Sequence, residues 1–182
     1  ETMTRTPLSP YGVSKLAAEE YCRVFSSLYG CEIVSLRYFN VFGPRQSHVS
    51  EYAAVIPRFI RALLSGHRPV VYGDGGQSRD FTFVGDVVRA NLLAATVPGI
   101  AGESFNVACG RRHSLLDLLE NLRAITGIKV EPCFEKPRAG DIRHSIAEIS
   151  RARERLGFEP ACSFKRGLEI TVDWYRKQHG GC

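Results

Sequence analysis

The feature that most constrains this fold is a long capped helix followed at once by a β-rich run. Residues 10–29 are bounded by Ser9, a plausible N-cap with Pro10 at the first helical position, and by Gly30, a plausible stop. Residues 32–39 then show little alternation of apolar and polar side chains, as expected for a strand buried on both faces. A helix followed by a buried strand predicts a parallel α/β sheet.

Asn40 directly follows this predicted strand, before Gly43 and Pro44. Open α/β sheets place their ligand crevice beyond the carboxyl ends of the strands. Asn40 is therefore a predicted binding residue.

Tyr11 and Lys15 lie four residues apart in the first turns of the predicted helix. This spacing puts two side chains on one helix face, with Cβ atoms roughly 5–6 Å apart. A neighbouring ammonium group favours the phenolate of a tyrosine and so suits it to act as a general base. The same spacing also occurs by chance as an ordinary surface pair, so it carries no assignment by itself.

The rest of the chain continues to alternate helices and strands. The glycines of residues 73–76 match no phosphate-loop pattern and predict a tight turn. Predicted helices cover residues 55–65, residues 87–96 with Asp86 as cap, a leucine-rich segment capped by Ser114, residues 149–156 and residues 164–178; predicted strands cover residues 69–72, 79–84, 104–108 and 129–134.

The composition is that of an ordinary soluble globular chain, with 182 residues of which 44% are hydrophobic and 24% charged. No apolar run reaches the length of a membrane span, and we expect no membrane partner. The net charge of +5 comes from dispersed residues without a nucleic-acid motif, so no nucleic-acid partner is expected. The densest basic cluster spreads over different helix faces and is interpreted as solvated: Arg151, Arg153 and Arg155.

The cysteines and histidines indicate neither disulfides nor a metal. Six cysteines are scattered without a C-x-x-C pair, which predicts reduced thiols and a cytoplasmic location. The five histidines show no metal-binding spacing, so no metal is expected.

Four motifs in order along the chain resemble the extended short-chain dehydrogenase/reductase family, and in particular its nucleotide-sugar 4-epimerases. The motifs are SPYGVSK at residues 9–15, LRYFNVFGPRQ at 36–46, GDGGQSRDF at 73–81 and RAGDIRHS at 138–145. The resemblance covers nearly the whole chain.

The resemblance implies an α/β fold made of the carboxyl-terminal part of a Rossmann-like parallel sheet and a small mixed α/β substrate-binding domain. Residues 1–44 would be a remnant of the Rossmann domain, and residues 45–182 would be mainly the substrate domain, with about 80–110 returning to the Rossmann side. The family's glycine-rich fingerprint does not occur in the chain, so the amino-terminal dinucleotide-binding half is expected to be absent. The cofactor implied is NAD.

The resemblance also implies roles for individual residues. Tyr11 would be the catalytic acid/base and Lys15 its electrostatic partner, both also contacting the cofactor, and Tyr38 would approach the nicotinamide. In the family's reaction the tyrosine takes the proton of the sugar 4-hydroxyl, NAD accepts hydride from C4, and the 4-keto sugar then takes the hydride back on its other face.

The implied substrate is a UDP-sugar. Asn40 would bond it, Arg79 and Arg138 would hold the diphosphate, and Tyr72 could stack on the uracil. A surface salt bridge is the alternative for each arginine, and core packing is the alternative for Tyr72. A small side chain at Ser145 would leave room for an N-acetyl group, and two further matching positions are Val55 and Asp141.

Without the cofactor half, we expect the chain alone to be inactive, with an exposed strand edge and an uncovered apolar face that make it poorly stable or self-associating. The complete protein is expected to be a homodimer. Two other interpretations stay open. One is a nucleotide-sugar dehydratase or reductase of the same family, and the other is a non-catalytic nucleotide-sugar-binding fragment.

Overall fold

The computed structural model describes residues 1–47, 54–138 and 142–179, which form a mixed α/β fold. The helices are α1 (Pro10–Tyr29), α2 (Val55–Leu64), α3 (Val84–Thr96), α4 (Leu115–Thr126), α5 (Ser150–Leu156) and α6 (Phe164–His179). The strands are β1 (Ser35–Tyr38), β2 (Val41–Phe42), β3 (Val70–Tyr72), β4 (Ser78–Arg79), β5 (Thr82–Phe83), β6 (Ser104–Val107), β7 (His113–Ser114) and β8 (Cys133–Glu135).

The strands in the described part of the chain pair in twos, and the pairing is mostly parallel. Strand β1 runs parallel to β6, with Ser35 opposite Ser104 and Tyr38 opposite Val107. The pairs β2–β5 and β3–β8 are also parallel, and β4–β7 is antiparallel. The predicted parallel α/β architecture is confirmed.

Local capping sets the ends of the long helices. The Ser9 hydroxyl accepts the backbone N–H of Gly12 at 3.1 Å, and α1 stops at Gly30, whose φ of 65° is left-handed. Helix α4 begins with a capping box in which Ser114 and Asp117 each accept the other's backbone N–H. These boundaries agree with those predicted from the sequence.

The predicted start of α3 is wrong. The helix begins at Val84, not at Val87, and Asp86 does not cap it. The Asp86 carboxylate instead accepts the backbone N–H groups of Ala161 and Cys162, at 2.9 and 3.1 Å. The Asp86 side chain therefore makes long-range hydrogen bonds, although its position before a helix predicted a local cap.

Strand β1 is only partly buried, which corrects the prediction of a strand buried on both faces. Among the described strands it pairs with β6 alone, and Tyr38 is 49% exposed. Helix α1 has no buried residue. One edge of β1 is thus unpaired among the described strands, as predicted, whereas the uncovered apolar face and the poor stability stay predictions.

Two main clusters of buried side chains form the core. The larger one joins α2, α4 and α6 with β2 and β3. At Gly167 a Cβ atom would lie 2.7 Å from the Phe42 ring, so glycine lets α6 pack closely on β2. The second cluster joins β6 with α3 and α5. The predicted division into a Rossmann remnant (residues 1–44) and a substrate domain (residues 45–182), with residues 80–110 returning to the Rossmann side, stays a prediction.

None of the helices in the described ranges combines the length and the apolar character that crossing a membrane requires.

Candidate active site

The first turn of α1 holds the Tyr11–Lys15 pair. The Lys15 Nζ atom lies 5.3 Å from the centroid of the Tyr11 ring, which is cation–π distance. The Tyr11 side chain is 72% exposed. An open phenol beside an ammonium group can exchange a proton with a bound hydroxyl. The pair therefore fits the acid/base and cofactor-contact roles that the resemblance implies.

Tyr38 is directed to helix α3. Its hydroxyl donates to the Asn91 side-chain oxygen at 2.9 Å. Among the described residues, no hydrogen bond or ion pair joins Tyr11, Lys15 or Tyr38 to the predicted substrate-binding residues.

Asn40 lies at the carboxyl end of β1 with a left-handed backbone, φ 36°, which asparagine tolerates better than most residues. Its side-chain N–H donates to the Asp80 carbonyl oxygen at 3.2 Å. The bond ties the end of β1 to the segment that carries Arg79. Asn40 and Arg79, both predicted binding residues, are thus held close in the fold.

Asp80 is a fully buried carboxylate that no local sequence pattern marks as functional. It accepts the backbone N–H groups of Cys109 at 2.9 Å, Gly110 at 2.9 Å and Ala147 at 3.3 Å. Burial raises the pKa of Asp80, and the three amides oppose that rise. One side chain thereby fastens the loop after β6 and the segment after Ser145 to β4. Its three amide donors come from distant parts of the chain, which no local pattern reveals.

Ser145 and Arg79 meet at one carbonyl group. The Ser145 backbone N–H donates to the Ser78 oxygen at 3.0 Å, and an Arg79 guanidinium N–H donates to the same oxygen at 2.9 Å. The predicted sugar-pocket residue and one predicted phosphate-binding arginine are therefore neighbours.

Two arginine side chains lie against the ring of Tyr72, the last residue of β3. The guanidinium carbon of Arg138 lies 3.9 Å from the Tyr72 ring centroid, and that of Arg58 lies 5.6 Å away. The neighbouring guanidinium groups lower the pKa of the Tyr72 phenol, Arg138 more than Arg58. Arg58 is not among the binding residues predicted from the sequence. It could have been considered because it lies in the first turn of α2, as does Val55, a predicted substrate residue.

Two other predicted substrate residues have different outcomes. Val55 is partly buried and packs against the larger core cluster. Asp141 lies outside the described residues.

The thiols near this region are not activated. The described cysteines are free, and burial raises the pKa of Cys109 to about 12, so it stays protonated at neutral pH. The described residues contain no group of three side chains that could hold a metal ion.

The geometry and the sequence agree with comparisons to known proteins. A profile of the NAD-dependent epimerase/dehydratase family matches residues 1–108. The chain belongs to this family.

Three relatives are particularly similar. A putative UDP-glucose 4-epimerase of Methanocaldococcus jannaschii is 39% identical over 173 residues, 95% of this chain and 55% of that protein. The solved UDP-glucose 4-epimerase of Thermotoga maritima, with UDP-glucose, is 42% identical with a TM-score of 0.91, covering 96% of this chain and 55% of that one. The UDP-N-acetylglucosamine 4-epimerase of Methanobrevibacter ruminantium, in complex with UDP-N-acetylmuramic acid, is 41% identical with a TM-score of 0.94, covering 98% and 57%.

The chain thus spans about half the length of the relatives that it matches. More distant relatives include nucleotide-sugar dehydratases and a decarboxylase. Several of the solved neighbours are complexes with NAD.

Proposed function

We propose that this chain is the carboxyl-terminal part of an NAD-dependent UDP-sugar 4-epimerase, which interconverts UDP-glucose and UDP-galactose or their N-acetyl forms through a 4-keto sugar. The observation that carries the proposal is the exposed Tyr11 phenol beside Lys15 in the first turns of α1. The similarity to epimerases solved with UDP-sugars supports the choice of substrate.

In the proposed reaction, Tyr11 holds and moves the proton. Its phenolate accepts the proton of the sugar 4-hydroxyl, and the Lys15 ammonium stabilises the phenolate charge. Bound NAD supplies the hydride acceptor for C4 and later the hydride donor. When the 4-keto sugar is reduced on its other face, Tyr11 returns the proton to the C4 oxygen.

The other residues orient the substrate. Arg79 and Arg138 would bind the diphosphate, because guanidinium groups form paired hydrogen bonds with phosphate oxygens. Asn40 would contact the sugar nucleotide at the end of β1, and Tyr38 would lie beside the nicotinamide. Lys15 would also bond the nicotinamide ribose. Val55 and Asp141 would complete the substrate contacts.

The decisive assay joins this chain to the amino-terminal segment of a relative. A chimera would carry the amino-terminal segment of the Thermotoga maritima enzyme followed by residues 1–182. We expect the chimera to interconvert UDP-glucose and UDP-galactose in the presence of NAD, and the 182-residue chain alone to be inactive. Turnover by the chain alone would contradict the second expectation, and a chimera that binds both ligands without turnover would contradict the first.

The dehydratase alternative is supported by dehydratases among the relatives. The same chimera distinguishes it, because a dehydratase would release a 4-keto-6-deoxy sugar nucleotide. The binding-fragment alternative keeps the substrate contacts without catalysis. It predicts that the chain alone binds UDP and ignores NAD in calorimetric titrations.

We also propose that the site accepts N-acetylated sugars, because the side chain at Ser145 is small. Replacing Ser145 with tyrosine in the chimera should lower kcat/KM for UDP-N-acetylglucosamine by about 10-fold or more and spare UDP-glucose. Ser145→Ala is the matched control, since it stays small. Equal turnover of the N-acetyl substrate by Ser145→Tyr would contradict the assignment.

The complete protein is proposed to be a cytoplasmic homodimer. Several apolar side chains of α1 are exposed and could form a subunit interface: Val13, Tyr21, Val24, Phe25, Leu28 and Tyr29. Analytical ultracentrifugation of the chimera measures this state.

A further inference from the structure

The fold brings two arginines to Tyr72, one from α2 and one from the segment after β8. Strand β3 pairs with β8 so that Tyr72 lies opposite Glu135, and the chain after β8 brings Arg138 back over the Tyr72 ring. Arg58 comes from the first turn of α2, whose neighbours Ile56 and Phe59 are buried and fix the helix orientation. The arrangement is therefore set by packed elements on two sides.

Neither arginine has a neutralising partner in the described part of the chain. No carboxylate there lies within ion-pair distance of Arg58 or Arg138, whereas Arg143 pairs with Asp74 at 2.6 Å and Arg37 with Glu19 at 2.6 Å. Two like charges held near one side chain repel each other. An anion bound close to both would be attracted to each and would offset that repulsion, so the cluster has the charge pattern of an anion site.

The Tyr72 ring is already occupied on one face. At 3.9 Å, the planar Arg138 guanidinium is in stacking contact with it. The Arg58 guanidinium carbon lies 5.6 Å from the same ring centroid, so both arginines lie beside the Tyr72 ring. A base cannot stack on the face that Arg138 covers, which weighs against the expectation that Tyr72 stacks on uracil.

We propose that Arg58 is a further diphosphate-binding residue, in addition to Arg79 and Arg138, and that Tyr72 is a positioning residue that holds the Arg58 and Arg138 guanidinium groups in place. The ligand is a compact anion with paired phosphates. Its identification as the diphosphate of a UDP-sugar rests on the proposed function. Arg58 supplies charge from α2, Arg138 supplies it from the segment after β8, and both guanidinium groups lie beside the Tyr72 ring.

The test is calorimetric titration of the chimera, saturated with NAD, with inorganic pyrophosphate and, separately, with UDP. Arg58→Gln should weaken both ligands by about 10- to 100-fold, because a charged hydrogen bond to each is lost. Arg58→Lys should restore part of the affinity through its charge. The matched control is Arg61→Gln, which removes the same charge from the exposed side of the same helix and should change affinity within about twofold.

Substitutions at Tyr72 distinguish a positioning role from stacking on the base. If it positions the arginines, Tyr72→Leu weakens pyrophosphate and UDP by the same factor, and Tyr72→Phe, which keeps the ring, weakens both much less. If it stacks on the base, Tyr72→Leu weakens UDP alone. Melting temperatures of the variants confirm that each is folded.

The outcomes separate this inference from the proposed function. Pyrophosphate binding that depends on Arg58, together with no binding of UDP-glucose, supports the anion site and contradicts the UDP-sugar function. Arg58→Gln that behaves like Arg61→Gln, with UDP-glucose bound normally, overturns the inference and leaves the function standing. Absence of pyrophosphate binding at millimolar concentration also overturns the inference.

Discussion

Helices α1 and α4 have similar apolar content in sequence but opposite roles in the structure. Helix α4 buries four leucines in the larger core cluster: Leu115, Leu118, Leu119 and Leu122. Helix α1 is longer and buries none of its side chains. An apolar pattern thus identifies a helix, whereas burial depends on what the helix packs against. The proposed chemistry lies on the helix that contributes least to the core.

The first test of this contrast replaces one leucine in each helix with alanine. Leu118 is fully buried, so Leu118→Ala should lower the free energy of unfolding by about 2–5 kcal/mol. Leu28 of α1 is 69% exposed, so Leu28→Ala should change it by less than about 0.5 kcal/mol. Urea unfolding measures both, and equal losses would contradict the contrast.

A second test concerns the buried carboxylate that joins the loops near the proposed substrate site. Asp80→Ala leaves up to three backbone N–H groups without an acceptor and should cost about 1–3 kcal/mol after partial rehydration. Asp173→Ala is the control, because Asp173 is exposed and pairs with Arg176 at 3.7 Å. Thermal melts of the two variants should differ clearly. Indistinguishable melts would mean that Asp80 does not fasten these loops.

The smallest expected effect is a pH dependence of the free energy of unfolding that arises from His113. Burial lowers the pKa of His113 from its usual 6.5, and its ring stacks on Phe164 at 4.1 Å. The unfolded chain therefore binds more protons there, so this contribution to stability is complete above that pH and declines as the pH falls below it. Unfolding free energies from pH 7 to pH 5 should fall less steeply in His113→Gln than in the original chain. Parallel pH profiles would count against this role.

Much of the fold could be predicted because its signals are local. The ends of α1 and α4 follow from Ser9, Gly30 and Ser114, whose caps involve residues within one turn. The start of α3 could not be predicted, because Asp86 serves amide groups about 75 positions further along the chain. Local rules assign such a residue to the nearest helix.

The candidate site divides in the same way. The Tyr11–Lys15 pair and the position of Asn40 follow from helix spacing and from the end of a strand. The grouping of Arg58 and Arg138 on Tyr72 depends on the register of β3 with β8 and on how α2 packs, which the sequence does not state. Contacts between distant segments are therefore what the structure adds.

The most direct test of the account compares Tyr11→Phe with Leu118→Ala in the chimera, measuring both turnover and melting temperature. Tyr11→Phe should slow the interconversion of UDP-glucose and UDP-galactose by about 100- to 10,000-fold, because the proton acceptor is lost, and should leave the melting temperature unchanged. Leu118→Ala should lower the melting temperature and leave the turnover of the folded fraction largely intact. Full activity in Tyr11→Phe would contradict the assignment of Tyr11 as the catalytic acid/base.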